Sequence, residues 1–166
     1  MSSRIFAPGL LDGLVAIVGG DGEAIADELT ALGARVERFA LTEDEEVVDA
    51  FVDGVLERHG AIDALVSRPD GEDFRVSVEG TWLLTHAVAT KAMIPEERGG
   101  KIVNVSPADP VCRAALENLA RVLSIEWARF GIRPTAIAAG SDEEAAWLAV
   151  FLASPAGDYY SGAVLG

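Results

Sequence analysis

Gly99-Gly100-Lys101-Ile102-Val103-Asn104-Val105-Ser106, then Ala114-Ala115-Leu116-Glu117-Asn118-Leu119, then Glu126-Trp127-Ala128-Arg129-Phe130-Gly131-Ile132-Arg133-Pro134 read in succession as strand, helix and strand. Lys101 to Val105 is a short apolar run behind two glycines, as expected of a strand buried on both faces. Pro110 to Phe130 places Cys112, Ala115, Leu116, Leu119, Val122, Leu123 and Trp127 on one apolar stripe, which a sheet-packing helix requires. Arg133 to Ala138 is the next strand. A strand, a helical crossover and a second strand form the unit of a parallel sheet.

The same unit repeats outward from this centre. Leu14 to Val18 is an apolar strand bounded by Gly13 and Gly19, and Glu23 to Leu32 a helix that stops at Gly33. Arg35 to Ala40 reads as a more exposed strand. Thr42, with Glu45 three residues on, has the spacing of a capping box, and Glu43 to Glu46 complement the dipole of a helix running to His59. Ile62 to Val66 is a strand, Phe74 to Met93 a long helix, Glu143 to Ala153 the last helix and Ala163 to Leu165 a final short strand. The expectation is one α/β domain over residues 1–166, a doubly wound, Rossmann-like parallel sheet.

A formal charge of -14 over 166 residues argues against nucleic-acid and anionic-membrane surfaces, which are bound through Lys and Arg clusters. The single cysteine, Cys112, excludes a disulfide within the chain and fits a reducing cytoplasm, the expected location. Met1 to Pro8 has no apolar run, so no secretory signal is expected. Ala145 to Ala153, the longest strongly apolar run, is far short of the roughly 20 residues that span a bilayer.

The segments quoted above resemble the centre of a short-chain dehydrogenase/reductase (SDR). The likeness extends from Pro8-Gly9-Leu10-Leu11 to Tyr159-Tyr160-Ser161-Gly162-Ala163-Val164-Leu165, and the opening is also similar to the acyl-CoA-reducing branch. The family's Tyr-x-x-x-Lys pair falls immediately before the Ala-Ala-Leu run. The resemblance therefore puts Asp109 in the tyrosine position and Arg113 in the lysine position. It puts Ser77 at the active-site asparagine, and Pro107 follows Ser106 where the catalytic serine is expected. In such enzymes the tyrosine passes a proton to or from the substrate oxygen, which an ionised carboxylate cannot do.

The family's glycine turn, Thr-Gly-x-x-x-Gly-x-Gly, is shortened here to Gly19-Gly20-Asp21-Gly22, with a carboxylate where a diphosphate would lie. Ala40 replaces the ribose-binding acid, and Leu41-Thr42 follows it directly, as though about one βα unit had been pruned. Ser67-Arg68-Pro69-Asp70 replaces Asn-Asn-Ala-Gly, and the substrate lid is missing between Ser141 and Glu144. What the resemblance implies is a pseudo-enzyme. On this reading the chain holds no cofactor and has no catalytic residues of its own. It pairs, as a hetero-oligomer or with itself, with a catalytically complete SDR subunit on which NAD or NADP is expected. Trp82, Leu84, Trp127 and Phe130, on the helices that form the family's dimer interface, are the expected interface groups. Two alternatives stay open: an NAD(P)-dependent oxidoreductase in which Ser106 orients substrate and Asp109 or Arg113 replaces lost groups, and a module binding a small ligand such as an acyl-CoA.

Other chemistry is less favoured by the residues. Ser106 and His86 lack a nucleophile-elbow sequence, so a hydrolytic triad is not expected. His59, His86 and Cys112 lack metal-ligand spacing, and no metal is expected. Arg68 and Arg113 could hold an anion, but Arg113 stands four residues from Asp109, the spacing of an intrahelical ion pair. Val76, Val78, Trp82, Leu83, Leu84, Ala87, Val88, Ala92 and Met93 occupy more than one face of their helix, which calls for packing beyond the chain's own sheet.

Overall fold

The short apolar runs Val15–Val18, Ala64–Val66 and Ile102–Val105 lie in strands, while the longest apolar run, Ala145–Ala153, lies in a buried helix. The computed structural model describes residues 5–166; Met1 to Arg4, part of the segment read above for a leader, lie outside the described residues. The elements are β1 (Val15–Gly20), α1 (Glu23–Ala31), β2 (Arg35–Phe39), α2 (Glu45–His59), β3 (Ala64–Arg68), α3 (Thr81–Val88), β4 (Gly100–Val105), α4 (Pro110–Glu126), β5 (Ile132–Ile137), α5 (Asp142–Ala153) and β6 (Val164–Leu165). All strand pairs are parallel. The strand order is β2-β1-β3-β4-β5-β6.

Period-two alternation sorts the strand side chains into two cores. Ala16, Val18, Ala64, Val66 and Val103 pack against α1 and α5 through Ile25, Leu29, Ala149 and Val150. Val15, Ile17, Leu65 and Ile102 face α2, α3 and α4 through Val52, Val55, Leu84, Val88 and Leu123. From β2 the chain passes through α2 to β3 on the far side of β1, so the strand order reverses between β1 and β3. In an open α/β sheet, the crevice beyond the strand ends at such a reversal is where ligands sit.

Several local expectations shift. Asp44, not Thr42, caps α2: its carboxylate accepts from the amides of Glu46 and Val47, while Thr42 Oγ1 accepts from Asp44 N. Both are good capping residues, and the one nearer the first turn wins. β3 begins at Ala64 rather than Ile62, because Asp63 turns its carboxylate to the amide of Val15 at 2.9 Å. The segment read as one helix over 74–93 is helical throughout, but α3 is flanked by π-helical turns at Arg75–Gly80 and Ala89–Met93. α4 stops at Glu126, and Ala128–Phe130 tightens into a 3-10 turn before Gly131 at φ +73°. The largely buried Lys101 ties down the end of α5. Its Nζ donates to the carbonyls of Leu152 and Ser154 and lies 2.8 Å from Asp158, whose pKa it lowers.

Candidate functional site

Two adjoining hollows open at the carboxyl ends of the strands and share Asp21, Pro69 and Asp70. One, of about 480 Å³, lies beyond β1 and β2 and is lined by Gly20, Arg38, Phe39 and Leu41. The other, of about 360 Å³, lies beyond β3, β4 and β5 and is lined by Arg68, Ser106, Arg113 and Asp142. Both are within the size range of small-molecule clefts.

The turn joining β1 to α1 is held by β3. Asp21 N donates to the carbonyl of Arg68 at 2.9 Å, and the Arg68 guanidinium returns a bond to the carbonyl of Asp21 at 2.9 Å. A second guanidinium nitrogen of Arg68 pairs with Asp142 in the first turn of α5. Packing alone accounts for the glycines of this turn. Gly20 sits at φ +79°, and a Cβ there would stand 2.2 Å from the Arg68 carbonyl oxygen. A Cβ on Gly22 would stand 2.3 Å from Val18 Cγ1.

The four positions that the sequence resemblance assigns to the SDR tetrad have other partners. Asp109 is the N-cap of α4, accepting from the amides of Val111 and Cys112, with Pro110 at the first helical position. These amide bonds, that of Cys112 first, hold its carboxyl below the usual carboxylate range. The expected Asp109–Arg113 pair does not form: the N-cap side chain turns to its own helix end, and Arg113 Nε donates to Glu117 Oε1 at 2.9 Å. Ser106 Oγ donates to the same oxygen at 3.0 Å. Glu117, to which the sequence reading gave no role, thus joins Ser106 to Arg113. Ser77 Oγ accepts from Gly71 N at 3.1 Å and donates to Asp70. Burial and the neighbouring Asp109 push the Cys112 thiol up, so it stays protonated at neutral pH.

The depressed pKa of Asp109 fixes a pH dependence. The capping carboxylate stabilises the fold fully above its ordinary value of 3.8, and that contribution is lost as pH falls through the lower folded value. Asp109→Asn keeps a capping side chain without the titration. The unaltered chain should therefore lose more stability than the variant between pH 5 and pH 2, read from urea midpoints.

Neither histidine joins Ser106. His59 lies 2.9 Å from Glu37, whose pKa is lowered first by His59 and then by Arg58. His86 is on the exposed side of α3, its ring 5.3 Å from that of Trp82, and lines neither hollow. Among the described residues no group of three or more His, Cys, Asp or Glu is placed to hold a metal ion. No helix among them is long and apolar enough to cross a membrane.

The expected interface residues divide. Leu84 is fully buried and Trp127 is 8% exposed, both in the core beneath α3 and α4, so neither faces outward. Helical periodicity alone could not separate the core-facing side from the outer one. Phe130 packs partly against the same core, with the Arg129 guanidinium 4.6 Å from its ring centre. Trp82 is exposed and stacks on Trp127, ring centres 6.4 Å apart. Val122, assigned above to the core stripe, faces outward, as do Phe74, Val111 and Ile125, which the sequence reading did not single out. Val111, Ala114, Asn118, Val122 and Ile125 form a second, outer stripe at three- and four-residue spacing.

No family model matches the chain. Among curated proteins it is 25% identical to an uncharacterized oxidoreductase of Schizosaccharomyces pombe, over 78% of this chain and 66% of that protein. It is 31% identical to oxidoreductase UcpA of Escherichia coli K12, over 71% of this chain and 55% of that one. The chain thus spans between about half and two thirds of the length of these relatives. Among solved structures, a citronellol catabolism dehydrogenase (AtuB) of Pseudomonas aeruginosa PAO1 superposes with a TM-score of 0.81 at 27% identity, covering 97% of this chain and 95% of that one. A hydroxysteroid dehydrogenase from Escherichia coli, at 22% identity, shares the fold with a TM-score of 0.79, over 95% of this chain and 96% of that one. The chain has the fold of the short-chain dehydrogenases/reductases, and its named relatives here are oxidoreductases and dehydrogenases.

Proposed function

We propose that this chain is a non-catalytic SDR-like subunit, working in the cytoplasm, that pairs with a catalytically complete SDR oxidoreductase and stabilises or shapes it. The observation that carries the reading is the employment of the tetrad positions. Asp109 is an ionised helix cap with no proton to give at neutral pH, and Arg113 is tied to Glu117. A proton-passing phenol beside a lysine has no counterpart in that arrangement.

The crevice supports the same reading for the cofactor. A dinucleotide diphosphate needs amides and glycines open to it at the helix end. Here the turn carries Asp21, and the Arg68–Asp142 pair crosses the opening. A carboxylate about 4 Å from a phosphate costs roughly 1–4 kcal/mol. These residues do not fit NAD or NADP, so the cofactor of the complex belongs to the partner subunit.

The test is calorimetric titration of the isolated chain with NAD(H) and NADP(H). No dissociation constant below about 100 μM is expected, a binding free energy weaker than about -5.5 kcal/mol. Tighter binding would overturn the cofactor part of the reading and favour an oxidoreductase with an atypical site.

A further inference from the structure

We propose that Arg68 is an internal clamp, one side chain that fastens the two walls of the strand-end crevice and makes them a single cooperative unit without any ligand. Its position is the reason. Arg68 ends β3, next to β1 at the reversal of strand order, where the β1–α1 turn and the first turn of α5 face each other. The guanidinium is planar and forked, so it can serve two partners in fixed directions at once. It gives one N–H to the carbonyl of Asp21 on the first wall, 47 residues away, and another to the carboxylate of Asp142 on the second, 74 residues away.

The backbone of the same residue completes the hold, since its carbonyl accepts from Asp21 N at 2.9 Å. Gly20, at φ +79° and in contact with that carbonyl, admits the approach. The Arg68 side chain is 28% exposed, so its bonds are partly shielded from water, whereas Asp142 is 65% exposed and held to the crevice by this pair. The helices that start at these walls, α1 and α5, already pack together through Ile25, Leu29, Ala149 and Val150, and Arg68 adds a polar bridge between the β1–α1 turn and the first turn of α5 at the mouth of the crevice. The clamp holds whether or not the chain is catalytic, so it stands or falls apart from the cofactor reading.

Hydrogen exchange of the whole chain tests it. The amides of Asp21 and Ala26 report the first wall, and those of Glu144 and Ala145 the second. Arg68→Met keeps the stem and removes the charge. Exchange at both sets should speed up together by about tenfold, the size set by one charge-assisted hydrogen bond. Asp142→Asn should do the same, including at Asp21 and Ala26, and the double variant should be no faster than either single one. Glu143→Gln controls for charge in the first turn of α5: it should leave Asp21 and Ala26 unchanged. Acceleration confined to the mutated wall, or additive effects in the double variant, would overturn the clamp.

Discussion

Asp109→Tyr combined with Arg113→Lys will turn over no carbonyl substrate above the background of the unaltered chain. The double variant will also unfold at lower urea than its parent. The two results share a cause. Asp109 starts α4 by accepting the amides of Val111 and Cys112, and a tyrosine cannot accept those bonds in the same place, so the helix end loses its cap. Lysine in place of Arg113 keeps a positive charge near Glu117 but loses the directed guanidinium bond. Restoring two side chains also leaves a site unable to position reactants. Positioning is worth effective molarities of about 10⁵–10⁸ M in well-oriented reactions, and Asp21, Arg68 and Asp142 still line the strand-end hollow. The assay is oxidation of NADPH and of NADH at millimolar concentration with a panel of ketones and aldehydes. Turnover by the double variant would show that only the tetrad had been lost.

What the sequence made legible is what periodicity and local chemistry control. Leu14 to Val18 and Lys101 to Val105 are apolar on both faces because helices cover both, and both became central strands. Gly33, expected to end α1, lies just past it at φ +103°. The misses come from contacts that a local window does not contain. Arg113 has an acid at four-residue spacing on either side, and nothing local says that Asp109 will be spent on the helix end and Glu117 on the pair. Val122 and Leu123 are both apolar on α4, yet Val122 is 43% exposed and Leu123 4%. Only the placement of the helix on the sheet separates them. The Arg68 contacts to Asp21 and Asp142 and the burial of Lys101 against the end of α5 join elements far apart in sequence, and no spacing rule reaches them.

Trp82→Glu will abolish assembly with an intact SDR partner and leave the chain folded. The outer face of α3 and α4 presents Trp82, Val122 and Ile125 as exposed large apolar groups. A stable interface buries around 1,600 Å² in total and draws most of its energy from a few central anchors, aromatic ones above all. Loss of such an anchor costs roughly 2–4 kcal/mol, about thirty- to a thousandfold in Kd, and a carboxylate left buried and unpaired adds to that. Trp82 also stacks on Trp127, so part of any effect could come from a disturbed core. Ile125→Glu separates the two causes, because Ile125 is 80% exposed and belongs to neither core cluster. Both variants should keep the far-ultraviolet circular dichroism and urea midpoint close to those of the parent, while neither co-purifies with the partner. The measurement is co-expression with SDR proteins of the same cell, affinity capture through this chain and light scattering of what is captured. A complex unchanged by both substitutions would place the interface elsewhere. A monodisperse monomer that captures no SDR subunit would remove the partner-subunit reading and return the crevice to the small-ligand alternative.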